Sequence, residues 1–382
     1  MIKFSNKKAL ILTIIVFIAF PIGLIWGSFT ANRLGDLSLA VSTVPPAGAD
    51  EEIFEDVPLA ASLAKKLEIP WALDFLPDGS IVFTERAGRV RFIDAQGRLL
   101  PNPLLAIGEV AHVGEGGLLG IAVHPDFSKN QFIYVYYTYR GSKDLANQVV
   151  RYRKQDKNLL DEKIIIDDIP GAAFHNGGRI KFGPDGLLYI TTGDATIPNL
   201  AQDKNSLAGK ILRLKDDGAI PVNNPFLNSP VYSFGHRNPQ GLAWDDEGRL
   251  WATEHGSRAT DEVNLIEPGK NYGWPTIRGD GKAPGLKSPV IHSGRETWAP
   301  SGAAFLNGSL FFAGLRGQTL YELVIEDQQV TLRRHLNENF GRLRDVVVGP
   351  DNFLYFLTSN RDGRGLPTAD DDQIIRINPK KL

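Results

Sequence analysis

Residues 182–191 read Phe-Gly-Pro-Asp-Gly-Leu-Leu-Tyr-Ile-Thr, a Pro-Asp-Gly turn followed by an alternating apolar strand. Five further segments keep this order of an apolar residue, a turn containing Asp or Asn, and a strand. The intervals between successive turns are 44 to 61 residues, a period that is typical of β-propeller blades. The six turns are marked by Asp78, Asp126, Asp185, Asp246, Asn307 and Asp351.

Additional strands are predicted between these repeats, at 89–94, 210–214, 318–323 and 373–377. The last of them could pair with the N-terminal blade and close a ring. We therefore predict an all-β fold, a six-bladed β-propeller over residues 59–382. An eight-strand sandwich is the alternative, but the long repeat period does not suit it. The abundance of turn formers, with Gly 39 and Pro 24, fits many short strands.

Residues 1–28 have the pattern of an export signal. Three lysines precede an apolar run of 18 residues at 9–26, the order expected of a secretory leader or a signal anchor helix. No good small-residue cleavage site follows directly, which favours an anchor over a cleaved signal peptide, and a buried core helix is the third option. A linker at 29–58 follows. We expect an exported, periplasmic or extracytoplasmic protein with possible membrane anchoring.

The composition excludes several classes of function. Outside residues 1–28 the chain holds 39 basic and 44 acidic residues, so nucleic acid is not an expected partner. The chain has no cysteine, which excludes disulfides, thiolate metal sites and covalent haem attachment. A redox enzyme of this sequence would therefore pass its electrons to a separate, external acceptor.

A histidine and an aspartate flank the repeat at 182–191. The Pro-Asp-Gly turn could bring His175 and Asp194 together, although they are nineteen positions apart. An unpaired histidine has a pKa of about 6.5 and can accept a proton near neutrality. Since Asp194 could hold its ring in one tautomer, His175 is a candidate general base. A structural or solvated histidine is the alternative.

Two arginines in Arg342-Leu-Arg344 lie on the same side of a predicted strand, because side chains alternate with period two. Their guanidinium groups could converge on a polyanion with a bidentate geometry that lysine cannot match. An exposed charged face is the usual alternative for isolated arginines.

The segment 234–275 contains His-Arg-Asn-Pro-Gln-Gly, Thr-Glu-His-Gly, Asp-Glu-Val-Asn and Asn-Tyr-Gly-Trp-Pro. Together with the two groups above, it resembles the soluble, pyrroloquinoline-quinone (PQQ)-dependent glucose/sorbosone (aldose sugar) dehydrogenases. The resemblance extends from about Ile69 to Pro379 and includes Gly-Glu-Gly-Gly-Leu-Leu-Gly at 114–120. It implies an enzyme that oxidises an aldose or related sugar, with PQQ as hydride acceptor and Ca²⁺ as activator.

The resemblance also implies roles for individual residues. It makes His175 the base, and it places Arg237 near the reactive carbonyl of the quinone, where a cation would stabilise developing negative charge. Arg316 and Thr297 correspond to family positions less firmly than the other cofactor contacts. The implied quinone contacts are Arg237, Asn238, Thr297, Arg316, Arg342 and Arg344.

The implied calcium ligands are all oxygen atoms, as this hard cation requires. They are the main-chain carbonyls of Gly256 and Ser257 beside the quinone, and Glu262 with the main-chain oxygen of Tyr272 at a further site, with Asp261 as an additional ligand. Relatives often have proline where this chain has Ser257, so the geometry there is in question. A solvated acidic pair is the alternative for Asp261 and Glu262.

A second departure from the family is Glu115, where relatives commonly have glutamine. Its carboxylate would either raise the basicity of a nearby histidine or repel an anionic cofactor, depending on distance. This departure bears on substrate choice and cofactor affinity.

Two other functions fit part of the pattern. A calcium-dependent propeller lactonase would share the fold and the oxygen-ligated metal but needs no arginine cluster. A non-enzymatic, exported propeller that binds glycans or proteins would need neither a base nor a cofactor.

Overall fold

The computed structural model describes residues 57–326 and 329–382. The predicted leader or anchor helix at 1–28 and most of the linker at 29–58 lie outside these residues. Within the described residues, twenty-four strands form six four-stranded antiparallel sheets. No helix in this part of the chain is long and apolar enough to span a bilayer.

The strands follow one another blade by blade along the chain. Strand β1 (Ala60–Ala64) precedes the first blade, which is β2 (Pro70–Phe75), β3 (Ile81–Glu85), β4 (Arg89–Ile93) and β5 (Leu105–Ala106). The second is β6 (Leu118–Val123), β7 (Phe132–Arg140), β8 (Leu145–Gln155) and β9 (Asn158–Pro170), and the third is β10 (Ile180–Phe182), β11 (Leu188–Thr192), β12 (Lys210–Leu214) and β13 (Val231–Phe234). The fourth is β14 (Pro239–Trp244), β15 (Leu250–Glu254), β16 (Glu262–Ile266) and β17 (Ile291–His292). The fifth is β18 (Pro300–Leu306), β19 (Ser309–Gly314), β20 (Thr319–Glu326) and β21 (Gln329–His335), and the sixth is β22 (Leu343–Val348), β23 (Leu354–Thr358) and β24 (Ile374–Ile377).

Each predicted repeat turn lies between the first and second strands of one blade. In the third blade the Asp185 carboxylate accepts a hydrogen bond from the Leu187 N–H at 3.1 Å, and Gly186 has a φ of +73°, which favours glycine. In the second blade the marker Asp126 instead precedes a short helix, α1 (Phe127–Asn130). The prediction of a six-bladed β-propeller is confirmed, and the sandwich alternative is excluded.

The two ends of the propeller meet in one sheet. Strand β24 pairs with β23 on one side and with β1 on the other, with Ala60 opposite Ile377. The predicted strand at 373–377 therefore does pair with an N-terminal strand. That strand completes the last blade and is not part of the first.

Inner strands of neighbouring blades contact one another around the ring, and the blades pack face to face. The second strands β3, β11, β15 and β23 are buried along their whole length, because they have a strand on each edge and a blade on each face. Large side chains fill the space between blades, among them Phe83, Phe312 and Phe356, each fully buried. Burial of such a side chain contributes roughly 1.5–3 kcal/mol.

Charged groups join the inner strands across the centre of the ring. Asp345 on β22 accepts a hydrogen bond from the Arg179 guanidinium at 2.9 Å, and both side chains are buried. Lys181 on β10 donates to the carbonyls of Leu242 and Ala303, at 3.3 Å each. These contacts connect the third blade with the fourth, fifth and sixth.

Replacement of Asp345 by Asn should destabilise the protein. The change leaves the Arg179 charge buried without its partner, which typically costs about 3–5 kcal/mol. The measurement is urea unfolding at neutral pH. Asp370→Asn is the control, since it removes a half-exposed ion pair with Lys65 and should cost no more than about 1 kcal/mol. Equal losses in the two variants would contradict the role given to the central pair.

Candidate active site

The His175 turn lies between β9 and β10 and has a left-handed backbone, with φ +60° at His175. Its carbonyl oxygen accepts a hydrogen bond from the Ala195 N–H at 3.2 Å. A Cβ at Gly193 would lie 1.8 Å from that oxygen, so only glycine fits there. The backbone of 193–195 therefore fixes the position of the histidine.

His175 and Asp194 are in direct contact, as their hairpin spacing predicts. His175 Nδ1 lies 2.8 Å from Asp194 Oδ1, with the ring 20% exposed and the carboxylate 1% exposed. The carboxylate also accepts hydrogen bonds from the Thr196 N–H and from Trp274 Nε1, at 2.8 Å each. These donors hold Asp194 in one orientation.

Arg237 determines which nitrogen of His175 carries the proton. A guanidinium nitrogen of Arg237 lies 2.8 Å from His175 Nε2, and arginine can only donate. Nε2 is therefore the acceptor, and Nδ1–H donates to Asp194. The Arg237 guanidinium also donates to the His255 carbonyl at 3.2 Å and lies 5.4 Å from the centre of the Trp274 ring.

Asn238 is buried beside the same turn. Its side-chain oxygen accepts a hydrogen bond from the Gly177 N–H at 2.9 Å. In this structure Asn238 therefore positions the backbone that follows His175.

A cavity of about 550 Å³, here called the basic cavity, contains the predicted arginine cluster. Arg316, Arg342 and Arg344 all lie in its wall, so residues from the fifth and sixth blades converge on one space. The full lining is Glu115, Gln240, His255, Ala299, Leu315, Arg316, Gln318, Arg342, Arg344 and Arg364.

The two buried arginines differ in their partners. Arg342 donates to Asp362 at 2.7 Å and is neutralised by it. Arg344 donates to the side-chain oxygens of Gln240, at 2.8 Å, and Ser301, at 3.4 Å, and forms no ion pair within the described residues. Burial lowers the pKa of Arg344 to about 9. A buried guanidinium with neutral partners has the electrostatics of an anion-binding group.

Buried polar atoms around the basic cavity lack partners in the described part of the chain. They are His255 Nε2 and Arg344 Nε, and Arg237 Nε, which belongs to a residue outside the lining of this cavity, also lacks a partner there. Buried polar atoms are almost always hydrogen-bonded, so these atoms indicate a polar ligand. Burial also lowers the pKa of His255 to about 4, so this ring is neutral at physiological pH.

Glu115 contacts the backbone of His175, and its own charge is paired. One carboxylate oxygen accepts a hydrogen bond from Arg364 at 2.6 Å, and the other lies 3.4 Å from the His175 N–H. Burial raises the pKa of this carboxyl, but His255, which becomes protonated near pH 4, and Arg364 outweigh burial and lower the pKa to about 2. Glu115 is therefore ionised.

A second, small cavity brings together four of the predicted calcium ligands, Gly256, Ser257, Glu262 and Tyr272, along with Glu254. Glu254 and Glu262 are opposite each other on β15 and β16. Burial, and secondarily the Glu254 carboxylate, raise the pKa of Glu262 to about 7. The Glu254 carboxylate already contacts His236 Nδ1 at 2.8 Å and accepts the Arg237 N–H, so Glu262 is the carboxylate better placed to serve a hard cation. Among residues 57–326 and 329–382, no three His, Cys, Asp or Glu side chains form a metal cluster.

Five predicted site residues belong to the lining of neither cavity: His175, Asp194, Asn238, Asp261 and Thr297. The Asp261 carboxylate accepts hydrogen bonds from the N–H groups of Gly256, Trp298 and Ala299, at 2.7 to 2.9 Å, and so joins two loops. Thr297 donates to the Arg258 carbonyl at 3.5 Å. Asp261 and Thr297 therefore both form hydrogen bonds within the protein.

Several residues of the site were not predicted from the sequence. Gln240 and His255 lie within the motifs Asn-Pro-Gln-Gly and Thr-Glu-His-Gly, so their position in those motifs is a signal that could have identified them. Arg364 and Asp362 lie in Asn-Arg-Asp-Gly-Arg-Gly, which has no spacing that indicates their partners.

An open groove of about 540 Å³ also adjoins the His175 turn. Its wall includes Gly171, Ala172 and Ala195, together with the 141–146 connection between β7 and β8. His175 itself is not among the residues that line this groove.

Comparison with known proteins identifies the family. Residues 67–370 match the model of the family described as Glucose / Sorbosone dehydrogenase. The chain belongs to this family. The sequence-based assignment is confirmed, and with it the class of enzyme, an oxidoreductase that acts on sugars.

Individual relatives support the same assignment. Aldose sugar dehydrogenase YliI of Escherichia coli K12 is 33% identical over 368 residues, which cover 88% of this chain and 94% of the relative. Quinoprotein glucose dehydrogenase B of Acinetobacter calcoaceticus is 35% identical over 283 residues, covering 65% of this chain and 58% of the relative. The solved PQQ-bound aldose sugar dehydrogenase of Streptomyces coelicolor is 40% identical with a TM-score of 0.78, covering 84% of this chain and 98% of that chain.

The paired state of Glu115 should appear in the pH dependence of stability. Its folded pKa, about 2, lies below the ordinary 4.5, so its stabilisation is present above pH 4.5 and is lost as pH falls toward 2. Urea unfolding of the wild type and Glu115→Gln at a series of pH values measures this. The difference in unfolding free energy should be greatest above pH 4.5 and should shrink at lower pH. A difference that does not vary with pH would contradict the ionised pair.

Proposed function

We propose that this protein is a PQQ-dependent dehydrogenase that oxidises the anomeric or primary hydroxyl of an aldose or related sugar at the mouth of the propeller channel. The observation that carries the proposal is the basic cavity beside the His175 turn, with the Arg344 guanidinium buried in its wall and no acidic partner for it among the described residues. A cofactor with several carboxylates would supply the missing negative charge.

The residues present fit such a cofactor. Arg316, Arg342 and Arg344 would hold its carboxylates, and Arg237 would lie at its reacting end. The buried, unpartnered nitrogens of Arg237, Arg344 and His255 would each gain an acceptor. When bound, the quinone provides the hydride acceptor that this chain's own side chains cannot provide.

His175 would remove the proton from the sugar hydroxyl. Its Nε2 lone pair is available in the tautomer fixed by Asp194, and Asp194 would stabilise the imidazolium that forms. Arg237 covers Nε2 in this structure, so its guanidinium must move aside before a hydroxyl can reach the base. The displaced guanidinium would then stabilise negative charge that develops at the reacting end of the cofactor.

Calcium is proposed on the basis of the oxygen donors around the small cavity. The main-chain oxygens of Gly256 and Ser257 would bind one Ca²⁺ beside the quinone. The Glu262 carboxylate and the main-chain oxygen of Tyr272 would bind a further one, and all four residues line the small cavity. A bound Ca²⁺ would act as a Lewis acid toward the accepting carbonyl. Asp261 would contribute by positioning Gly256, since its carboxylate accepts the Gly256 N–H at 2.8 Å.

We further propose an exported enzyme, acting in the periplasm or at an extracytoplasmic face. The basic and apolar pattern of residues 1–28 supports this location, with residues 29–58 as linker and 59–382 as the catalytic propeller. The chain has no cysteine to attach a haem, so an external acceptor would reoxidise the enzyme.

A direct assay distinguishes this proposal from the alternatives. Purified protein is mixed with PQQ and Ca²⁺, and the reduction of a redox dye by glucose and other aldoses is followed. We expect dye reduction that depends on PQQ and decreases with a chelator. Lactone hydrolysis without dye reduction would indicate a propeller lactonase, and inactivity in both assays with retained glycan binding would indicate a binding protein.

His175→Gln should abolish most of the turnover while leaving the cofactor bound. Loss of a general base typically lowers kcat by about 10²- to 10⁴-fold, and the cavity arginines remain in place. Steady-state dye reduction measures kcat, and a PQQ titration followed by absorbance measures binding. His335→Gln is the matched control, because this histidine contacts Glu322 on the outer strands of the fifth blade. A kcat within twofold of the wild type would remove His175 from the role of base.

A further inference from the structure

We propose that Arg364 is a positioning residue for the anionic cofactor, because its guanidinium neutralises Glu115 in the wall of the basic cavity. This inference rests on the proposed function. It addresses Glu115, the acidic side chain that lines the basic cavity together with its arginines in the described part of the chain.

Arg364 is directed at Glu115 by several contacts. Its guanidinium donates to the Glu115 carboxylate at 2.6 Å and lies 5.7 Å from the centre of the Phe174 ring. Its backbone N–H donates to Asp362 Oδ1 at 2.9 Å. The guanidinium therefore lies between an ionised carboxylate and an aromatic face, both adjacent to the His175 turn.

The turn at 362–364 contacts Arg342 and contains Arg364, the two arginines of the cavity wall that have an acidic partner. Asp362 Oδ2 accepts from Arg342, while its Oδ1 accepts the Arg364 N–H. One short turn thus holds Arg342 in place and presents Arg364 to Glu115. The turn follows β23 in the sixth blade and Glu115 precedes β6 in the second, so the ion pair bridges two loops distant in sequence.

The charges explain why the pair matters for an anionic ligand. Glu115 is ionised and lines the same cavity as Arg316 and Arg344. Without Arg364, its carboxylate would oppose the carboxylates of a bound cofactor in a partly desolvated space, where like charges repel most strongly. With Arg364, the pair has no net charge.

A purely structural role for the Arg364–Glu115 pair predicts a different effect of these substitutions on cofactor binding than charge neutralisation does. If Arg364 only fastens two loops through the ion pair, Glu115→Gln alone should weaken binding about as much as Arg364→Ala, and that result would overturn the neutralising role of Arg364. If Arg364 only contacts the cofactor itself, its removal should weaken binding whether residue 115 is charged or neutral. If Arg364 acts by neutralising Glu115, its removal should matter only while the carboxylate is present.

The test is a double-mutant cycle on the full protein, read by binding rather than by turnover. Two probes are titrated calorimetrically: PQQ with Ca²⁺, and benzene-1,3,5-tricarboxylate, a redox-inert polyanion. We expect Arg364→Ala to weaken the binding of both roughly 10- to 100-fold. In the Glu115→Gln background the same change should weaken binding less than about threefold, and Arg364→Lys should retain most of the affinity. Arg98→Ala, which removes an exposed pair with Asp94, is the control and should leave both affinities unchanged.

The outcomes separate this inference from the proposed function. Equal losses of affinity in the wild-type and Glu115→Gln backgrounds, or no loss in either, would overturn the role of Arg364. Failure of the wild type to bind PQQ, with the tricarboxylate cycle as expected, would overturn the cofactor and leave the charge pairing standing. Thermal melts of all variants identify any loss of binding that follows from unfolding.

Discussion

A buried ion pair between Asp345 and Arg179 is the contact on which both the ring and the site depend. It joins the inner strands of the third and sixth blades across the channel. Arg179 also donates to the Gln240 carbonyl at 2.9 Å, and the Gln240 side chain accepts from Arg344 at 2.8 Å. The charges that hold the inner strands together therefore also orient an arginine in the cavity wall. Stability and the proposed cofactor site share one polar network here.

The topology explains why distant segments form one site. Glu115, His175, Arg237 and Arg342 each precede the first strand of their blade, while other site residues directly follow a second strand. First and second strands are antiparallel, so the start of one lies beside the end of the other. All these side chains consequently lie at one end of the channel. Asp194, His255, Arg316 and Arg364 are the residues that follow second strands.

Sequence reasoning succeeded where the relevant contacts are local or repeated. The turn period gave the six blades, and the hairpin between β10 and β11 brought His175 to Asp194. It did not identify contacts between loops of different blades, such as Arg364 with Glu115 or Trp274 with Asp194. Their residues are separated by 249 and 80 positions, and no local pattern encodes such pairs. The Asp261 carboxylate illustrates the same limit, because its three donors come from two separate loops.

The shared sheet of β1 and β24 has a consequence for the order of assembly. The segment at Ala60 is synthesised long before its partner at Ile377. The backbone hydrogen bonds between β1 and β24 cannot form until both segments are present. Five blades can form as the chain is made, but the sixth must wait for the last residues. Until then β1 is an unpaired β-edge exposed to other nascent chains. The sheet that carries Arg342 and Arg344 is therefore complete only when β1 and β24 have paired.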